Sequence, residues 1–447
     1  MIRRASLLVA AAAAWGVAAW LLWRTTVPSS LDLPHVDPRR FFTAAQLHAA
    51  SRYSTVESLL TWGGVVAQIA ALAAYARWGA RWARESAAGP VGTGMLLGML
   101  GFALVWAAQL PLSVVDLWWQ RHHGLSHVGY ATFVFGDWFA LGGQFVFLCL
   151  ALAIVMGLAR KLRRRWWVAA APVFVGLALV FAFVDPYLLG THRLSDPQLQ
   201  RIASQLERQE HVGHVPVVVD RIHDVSSLPN AEATGIGPSR RVVLFDTLLD
   251  GRFTTGELKI AMAHELGHLA RNHIWKDVGW YALFAFPGTF LLALVAHRRG
   301  GMGRAEAIPL VLLALVVLQL LALPLQNAIS RHMEAEADWR ALVTTRDPKD
   351  AIALFRRFVP TTLDEPSPST WDYVMEENHP TIAQRNAMAE AYGHLPQRAA
   401  RSSNFFSYSA QTESAGAAVV SACSAQTDLK LCPGSRTTGR SGWTSVK

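Results

Sequence analysis

Along the chain, hydrophobic positions gather into seven runs: 5–23, 59–75, 91–115, 138–159, 166–184, 278–296 and 307–329. None contains Lys, Arg, Asp or Glu. Crossing a bilayer as a helix takes roughly 17–25 apolar residues, and each run meets that length. Helix is the expected form, because hydrocarbon cannot satisfy backbone polar groups. The run at 59–75 is the weakest, with Gly63, Gly64 and Gln68 inside it. The first run is Ala-rich and follows Arg3 and Arg4, so a cleaved signal peptide is the alternative there. Gln109, Asp137, Gln144 and Gln326 lie within or beside spans, where polar groups face a cavity or bond a neighbouring helix.

Between the fifth and sixth runs the pattern turns polar, from about 185 to 277, and a second polar stretch follows the seventh. Only 297–306 joins the sixth and seventh runs, which predicts an antiparallel hairpin. Both polar stretches then face one side of the membrane and can build one site. Within the first stretch, 196–209 has the period of an amphipathic helix. The β-branched segment 214–220 reads as a strand, 230–237 as an extended edge ending in a Gly turn, and 241–246 as a second strand. Thr254 precedes Glu257 by three positions, a capping box that starts a helix.

Composition narrows the class. Hydrophobic residues make up 52% and charged residues 16%, against about 25% charged in a soluble domain. The chain reads as a multi-pass membrane protein of the cell membrane. The net charge of +9 does not point to nucleic acid, because the arginines cluster between apolar runs. Arg77, Arg81, Arg84, the group at 160–165, Arg298, Arg299 and Arg304 all fall at one end of the spans. The positive-inside rule puts that end in the cytoplasm and the polar stretches outside it. Three cysteines cannot staple 447 residues. Cys149 sits in an apolar run, and Cys423 and Cys432 could pair only in an oxidising compartment. The Ser/Thr-rich segment 401–447 reads as a disordered tail.

The helix begun at Thr254 carries His264-Glu265-Leu266-Gly267-His268. Positions i and i+4 share a helix face, so both histidines can bind one Zn²⁺ while Glu265 faces an open coordination position as general base. A chance match is expected far less than once in a chain with 16 histidines. A catalytic zinc needs a third protein ligand. The arrangement with a His ten positions after the first and a Gly at the seventh is excluded, since Ile274 and Arg271 stand there. His273 lies nine positions after His264. On a continuing helix it points about 180° away, as a polar interfacial residue. The other arrangement takes a Glu from a separate helix, and Glu334 stands just past the seventh run. Asp338, four positions on, shares its face and can orient a ligand histidine from behind. Glu336 is about 200° from Glu334 and faces elsewhere. His379, before Pro380, is either a loop residue or a donor to a developing oxyanion.

These motifs together resemble the type I CAAX prenyl proteases, integral-membrane zinc metallopeptidases, with the HtpX-type proteases as relatives. The likeness covers roughly 115–395. HELGH followed by His273 resembles the family's HELGH-x4-H. Ser330-Arg331 with Glu334, Ala337 and Asp338 resembles its SRxxExxAD, which implies Glu334 as third ligand. His379-Pro380 with Arg385 resembles its HP-x4-R, which implies that both lie at the substrate. Asn230-Ala231 and the stretch 241–249 resemble its edge strand and RIVLFDTLL strand, and 123–126 a short xGFN-type stretch. Glu232 departs from the aromatic usual after the edge motif. The resemblance implies a mainly α, polytopic membrane protein with about seven transmembrane helices around a chamber. A small α+β, gluzincin-like zinc-peptidase domain completes it. It implies one Zn²⁺ per chain, a peptide or protein substrate that is lipid-modified or membrane-embedded, and a lipid bilayer as surroundings. The family's mouth faces the cytosol, opposite to the arginine distribution, so the side stays open. The expected organisation is helices one to five over 1–188, a catalytic lobe with edge strand and HExxH helix over 189–275, the hairpin over 276–330, a second catalytic lobe over 331–400, and the tail. General proteolysis of damaged membrane proteins is the alternative task, and a transporter or receptor with a vestigial metal site the alternative class.

Overall fold

The computed structural model describes residues 2–395 except 32, 35, 86 and 87. The expected tail at 401–447, with Cys423 and Cys432, lies outside the described residues, as does the side chain of Asp137. All seven apolar runs are helical: α1 (Ile2–Leu22), α2 (Ala44–Trp78), α3 (Gly89–His122), α4 (Tyr130–Leu162) and α5 (Trp166–Leu188) precede the polar stretch. That stretch holds β1 (His192–Arg193), α6 (Pro197–Glu210), β2 (Val217–Asp220), β3 (Ala231–Thr234), β4 (Arg241–Phe245) and α7 (Thr255–Ala270). The hairpin is α8 (His273–His297) and α9 (Ile308–Thr345), followed by α10 (Pro348–Thr362), α11 (Thr370–Met375) and α12 (Ile382–His394). Five stretches among the described residues are long and apolar enough to cross a membrane on their own terms. Gly142–Leu188 takes in apolar parts of α4 and α5 together, and Val9–Leu22 of α1 is shorter.

Several helices outrun their apolar runs. α2 starts at Ala44, where Thr43 and Gln46 form a capping box. The 38 residues of α9 rise roughly 57 Å, against a hydrocarbon core of about 30 Å. The helix therefore continues unbroken past 330 and carries Glu334, Glu336 and Asp338 on a rigid extension of the span. Hydropathy marks only the part that meets lipid, which explains the difference. Large apolar side chains such as Leu321 and Val146 stay exposed along the spans, as a lipid-facing surface requires. Between spans, packing is close: a Cβ on Gly101 would stand 2.7 Å from Leu312 Cδ1 of α9. Small residues let membrane helices approach in this way. Gln109 Nε2 donates to the Gly64 carbonyl across the α2–α3 contact, so this polar residue bonds a neighbouring helix.

The sheet has the order β1-β2-β4-β3. β2 and β4 pair in parallel, Val217 opposite Val242, and β3 runs antiparallel to β4 with Ala231 opposite Leu244. β3 is thus an edge, as expected, and it packs against α7. The two-residue β1 is too short to carry a sequence signal. A core of Val242, Leu244, Ile260, Met262, Leu266, Trp339 and Leu342 fuses sheet, α7 and the extension of α9. Ion pairs to buried carboxylates tie the lobe further: Arg340 to Glu210 of α6 and Arg357 to Glu257 of α7. Residues 125–127 dock on the lead-in to β3, Ser227 N donating to Leu125 O at 3.0 Å and His127 N to Val225 O at 2.9 Å.

Candidate metal centre and active site

α7 is capped as the sequence predicts, with Thr254 and Glu257 bonding each other's backbone N–H. It is buried along most of its length, which fixes its rotation. His264 and His268 leave it one turn apart and meet Glu334 from α9. His264 Nε2 lies 3.1 Å from His268 Nε2 and 3.1 Å from Glu334 Oε2, and His268 Nε2 lies 3.4 Å from Glu334 Oε1. One ligand atom from each residue falls within 4.8 Å of the others. Two facing imidazole nitrogens and a carboxylate this close require a positive charge among them, either a proton or a cation. An ion bonded tetrahedrally at the 2.0–2.1 Å usual for zinc and nitrogen holds two nitrogens roughly 3.3 Å apart. The donor set and the observed 3.1 Å therefore fit a metal ion of that kind. Without one, burial drives the His264 imidazole toward its neutral form, but hydrogen bonds to Asp338 and Glu334 outweigh it and push the pKa up to about 10. Burial opposes and the Glu334 charge prevails at His268 too, which is raised.

Glu265, next along α7, is buried beside the pair. His379 is half exposed, with Nε2 3.3 Å from Glu334 Oε2, and Asn378 Oδ1 sits 2.6 Å from its Nδ1. It thus stands at the open side of the cluster. Arg385 is not at the open side. From α12 it donates through Nε to Asp338 Oδ2 at 2.8 Å and through Nη2 to Asp338 Oδ1 at 2.6 Å. Asp338 Oδ1 in turn lies 2.9 Å from His264 Nδ1. Arg385 therefore acts on the cluster through Asp338. Asn230 is exposed at the start of β3, and its carbonyl accepts from Phe245 N at 2.9 Å. The structure brings His264, His268, Glu334, His379, Asp338 and Arg385 into one assembly and sets Asn230 at the head of the edge strand.

His273 is corrected by the structure. It is not interfacial but 1% exposed, because the helix does not continue. α7 ends at Ala270, Asn272 takes a left-handed conformation at φ 54°, and α8 starts anew. The reversal brings His273 Nδ1 to 3.0 Å from His268 Nδ1. Its Nε2 lies 3.0 Å from Glu336 Oε2. Glu336 faces away from Glu334 as expected, yet it is fully buried. It accepts from Arg271 Nε at 2.8 Å, Lys276 Nζ at 2.7 Å and Thr26 N at 2.7 Å. Sequence reasoning missed this second assembly. The available signals were Asn272, a residue type that tolerates the left-handed region, and three basic residues within six positions after the HExxH helix.

Residues 193–392 match Peptidase family M48. The chain is 23% identical over 398 residues to the uncharacterized metalloprotease YhfN of Bacillus subtilis, covering 83% of this chain and 92% of that one. It is 33% identical over 172 residues to a protease HtpX homolog of Limosilactobacillus fermentum, covering 36% of this chain and 56% of the relative. Its fold is similar to that of S. mikatae Ste24p, with a TM-score of 0.68 at 18% identity, over 84% of this chain and 96% of that chain.

Proposed function

On the premise that residues 193–392 belong to peptidase family M48 and that the chain is a multi-pass membrane metallopeptidase, we propose that one Zn²⁺ is its resident ion, held by His264, His268 and Glu334. The observation that carries this reading is the convergence of those three side chains with Glu265 one position along the same helix. When bound, the ion supplies a Lewis acid that makes water nucleophilic near neutral pH.

Glu265 accepts the proton of the attacking water and returns it to the leaving amine nitrogen. His379, at the open side, donates to the carbonyl oxygen as negative charge develops there. Asp338 accepts the Nδ1–H of His264, which turns the Nε2 lone pair toward the centre, and Arg385 keeps Asp338 in place. The substrate lies extended along the free edge of β3 near Asn230 and pairs with its backbone. The catalytic unit combines the lobes at 189–275 and 331–400 across the hairpin, and the cell membrane is the proposed location.

The substrate class we favour is a C-terminal peptide of a lipid-modified protein, on the resemblance to the CAAX prenyl proteases. General proteolysis of membrane proteins is the second reading, favoured by the likeness to a protease HtpX homolog. The test has two steps. Glu265→Gln in the purified chain should lower peptide hydrolysis by about 10²–10⁴-fold with metal content unchanged; hydrolysis at the parent rate removes Glu265 as the base. Rates on a prenylated CaaX peptide and on an unfolded membrane protein then separate the two tasks.

A further inference from the structure

A second concave site lies at the other end of the spans. It forms where the C-terminal end of α2 and the 3₁₀ segment Gly79–Glu85 meet the turn between α8 and α9. Its cavity of about 460 Å³ is lined by Arg77, Arg81, Arg299, Arg304, Trp78 and Glu306. Because α8 runs from the metal cluster to this turn, its 25 residues set the two sites roughly 36 Å apart. Four guanidiniums share the cavity with one carboxylate, and Glu306 is engaged by Arg304 at 3.1 Å.

Two of the guanidiniums are braced from the backbone. Arg299 Nη2 donates to Ala76 O at 3.3 Å, and Arg81 Nε donates to Trp78 O at 3.1 Å. Arg304 folds over Gly300, which sits at φ +85°, where a Cβ would stand 2.6 Å from Arg304 Cδ. The turn is therefore built around the arginine. Like charges gathered this closely repel unless an anion joins them, and a guanidinium offers five donors that match phosphate oxygens in pairs. Trp78, in the cavity lining, is 50% exposed, and Trp82 of the adjoining segment is 45% exposed. Such residues mark the level of lipid headgroups, and Arg77 and Trp78 close the apolar helix α2.

We propose that this cavity binds the phosphate of an anionic phospholipid, its acyl chains lying along the spans and its headgroup between Arg77, Arg81, Arg299 and Arg304. The site takes its charge from arginines that otherwise count toward membrane orientation.

The experiment reconstitutes the purified full chain in nanodiscs of phosphatidylcholine doped with phosphatidylglycerol. Retained lipid is read by native mass spectrometry. The parent should keep phosphatidylglycerol in preference to phosphatidylcholine. The double variant Arg77→Gln/Arg299→Gln should lose that enrichment by roughly thirtyfold, as two lost phosphate contacts imply. A control, Arg163→Gln/Arg164→Gln, removes charge from the same end outside the cavity and should keep it. Soluble glycerophosphate and inorganic phosphate form the second arm: competition by them at concentrations matching the lipid would assign the site to a free anion and overturn the lipid reading. Equal retention of both lipids by the parent overturns the proposal whether or not the variant folds, and so does equal loss in the control.

Discussion

The two histidines of the HExxH helix are supported from behind in different ways. His264 meets its carboxylate directly: Asp338 lies 2.9 Å from Nδ1 and is clamped by Arg385 of α12. His268 reaches its carboxylate through a second imidazole, His273, and Glu336 behind it is held by Arg271, Lys276 and Thr26. Both arms place a polar partner behind Nδ1, and both Nε2 atoms face Glu334, the arrangement that the proposed zinc site requires. They differ in what they anchor to. The first is closed within the polar lobe, between α9 and α12. The second reaches the start of α8 and the segment after α1, where Lys276 also donates to Arg24 O at 2.9 Å. One arm therefore reports on the lobe and the other on its seat against the membrane helices. Glu334 alone belongs to both, and it rides on the same helix as both carboxylates.

Removing that shared element should have the largest effect. Glu334→Ala takes away a ligand, and metal content measured by elemental mass spectrometry should fall from one per chain toward none. Peptide hydrolysis should drop beyond the 10–100-fold typical of a lost outer partner. Full metal content in this variant would break the assignment of a common centre. Next, Asp338→Asn leaves the Arg385 charge buried without its partner. Unfolding free energy should fall by about 3–5 kcal/mol, and metal affinity, read by chelator competition, by about 10–100-fold. His273→Ala should cost about the same in metal affinity but less in stability, because Glu336 keeps its two basic partners. His273→Gln should recover part of the affinity if the role is to accept from His268 and donate to Glu336. Equal stability losses for Asp338→Asn and His273→Ala would erase the distinction between the arms. The smallest change is expected for Thr26→Val. It removes one hydroxyl donor to Glu336 while the backbone donor stays, so stability should fall by about 1 kcal/mol with metal affinity unaltered.

The first arm is legible in the amino-acid sequence, because its parts obey spacing rules. His264 and His268 are four apart on one helix, and so are Glu334 and Asp338. Arg385 comes with the resemblance, though its place behind Asp338, away from the open side, is a matter of packing. The second arm is not legible in this way. His273 extrapolated along α7 points away from His268, and only the left-handed turn at Asn272 reverses that. Periodicity assigns Glu336 its direction but not its partners, which come from α7, α8 and the segment after α1.

The sequence by itself determined the seven apolar helices, the hairpin that brings two polar stretches to one side, the edge strand beside the HExxH helix, and the two residues that α9 turns toward it. Periodicity and hydropathy act within single elements, and lipid and core impose them residue by residue. Only the tertiary structure decided that His273 and Glu336 stand behind His268, that α9 carries its carboxylates on a continuous rod, and that four arginines from the end of α2, the segment after it and the α8–α9 turn line one cavity. Those relations depend on how turns aim one element at another. A single backbone angle at a turn moves everything after it, and neither composition nor period records that angle.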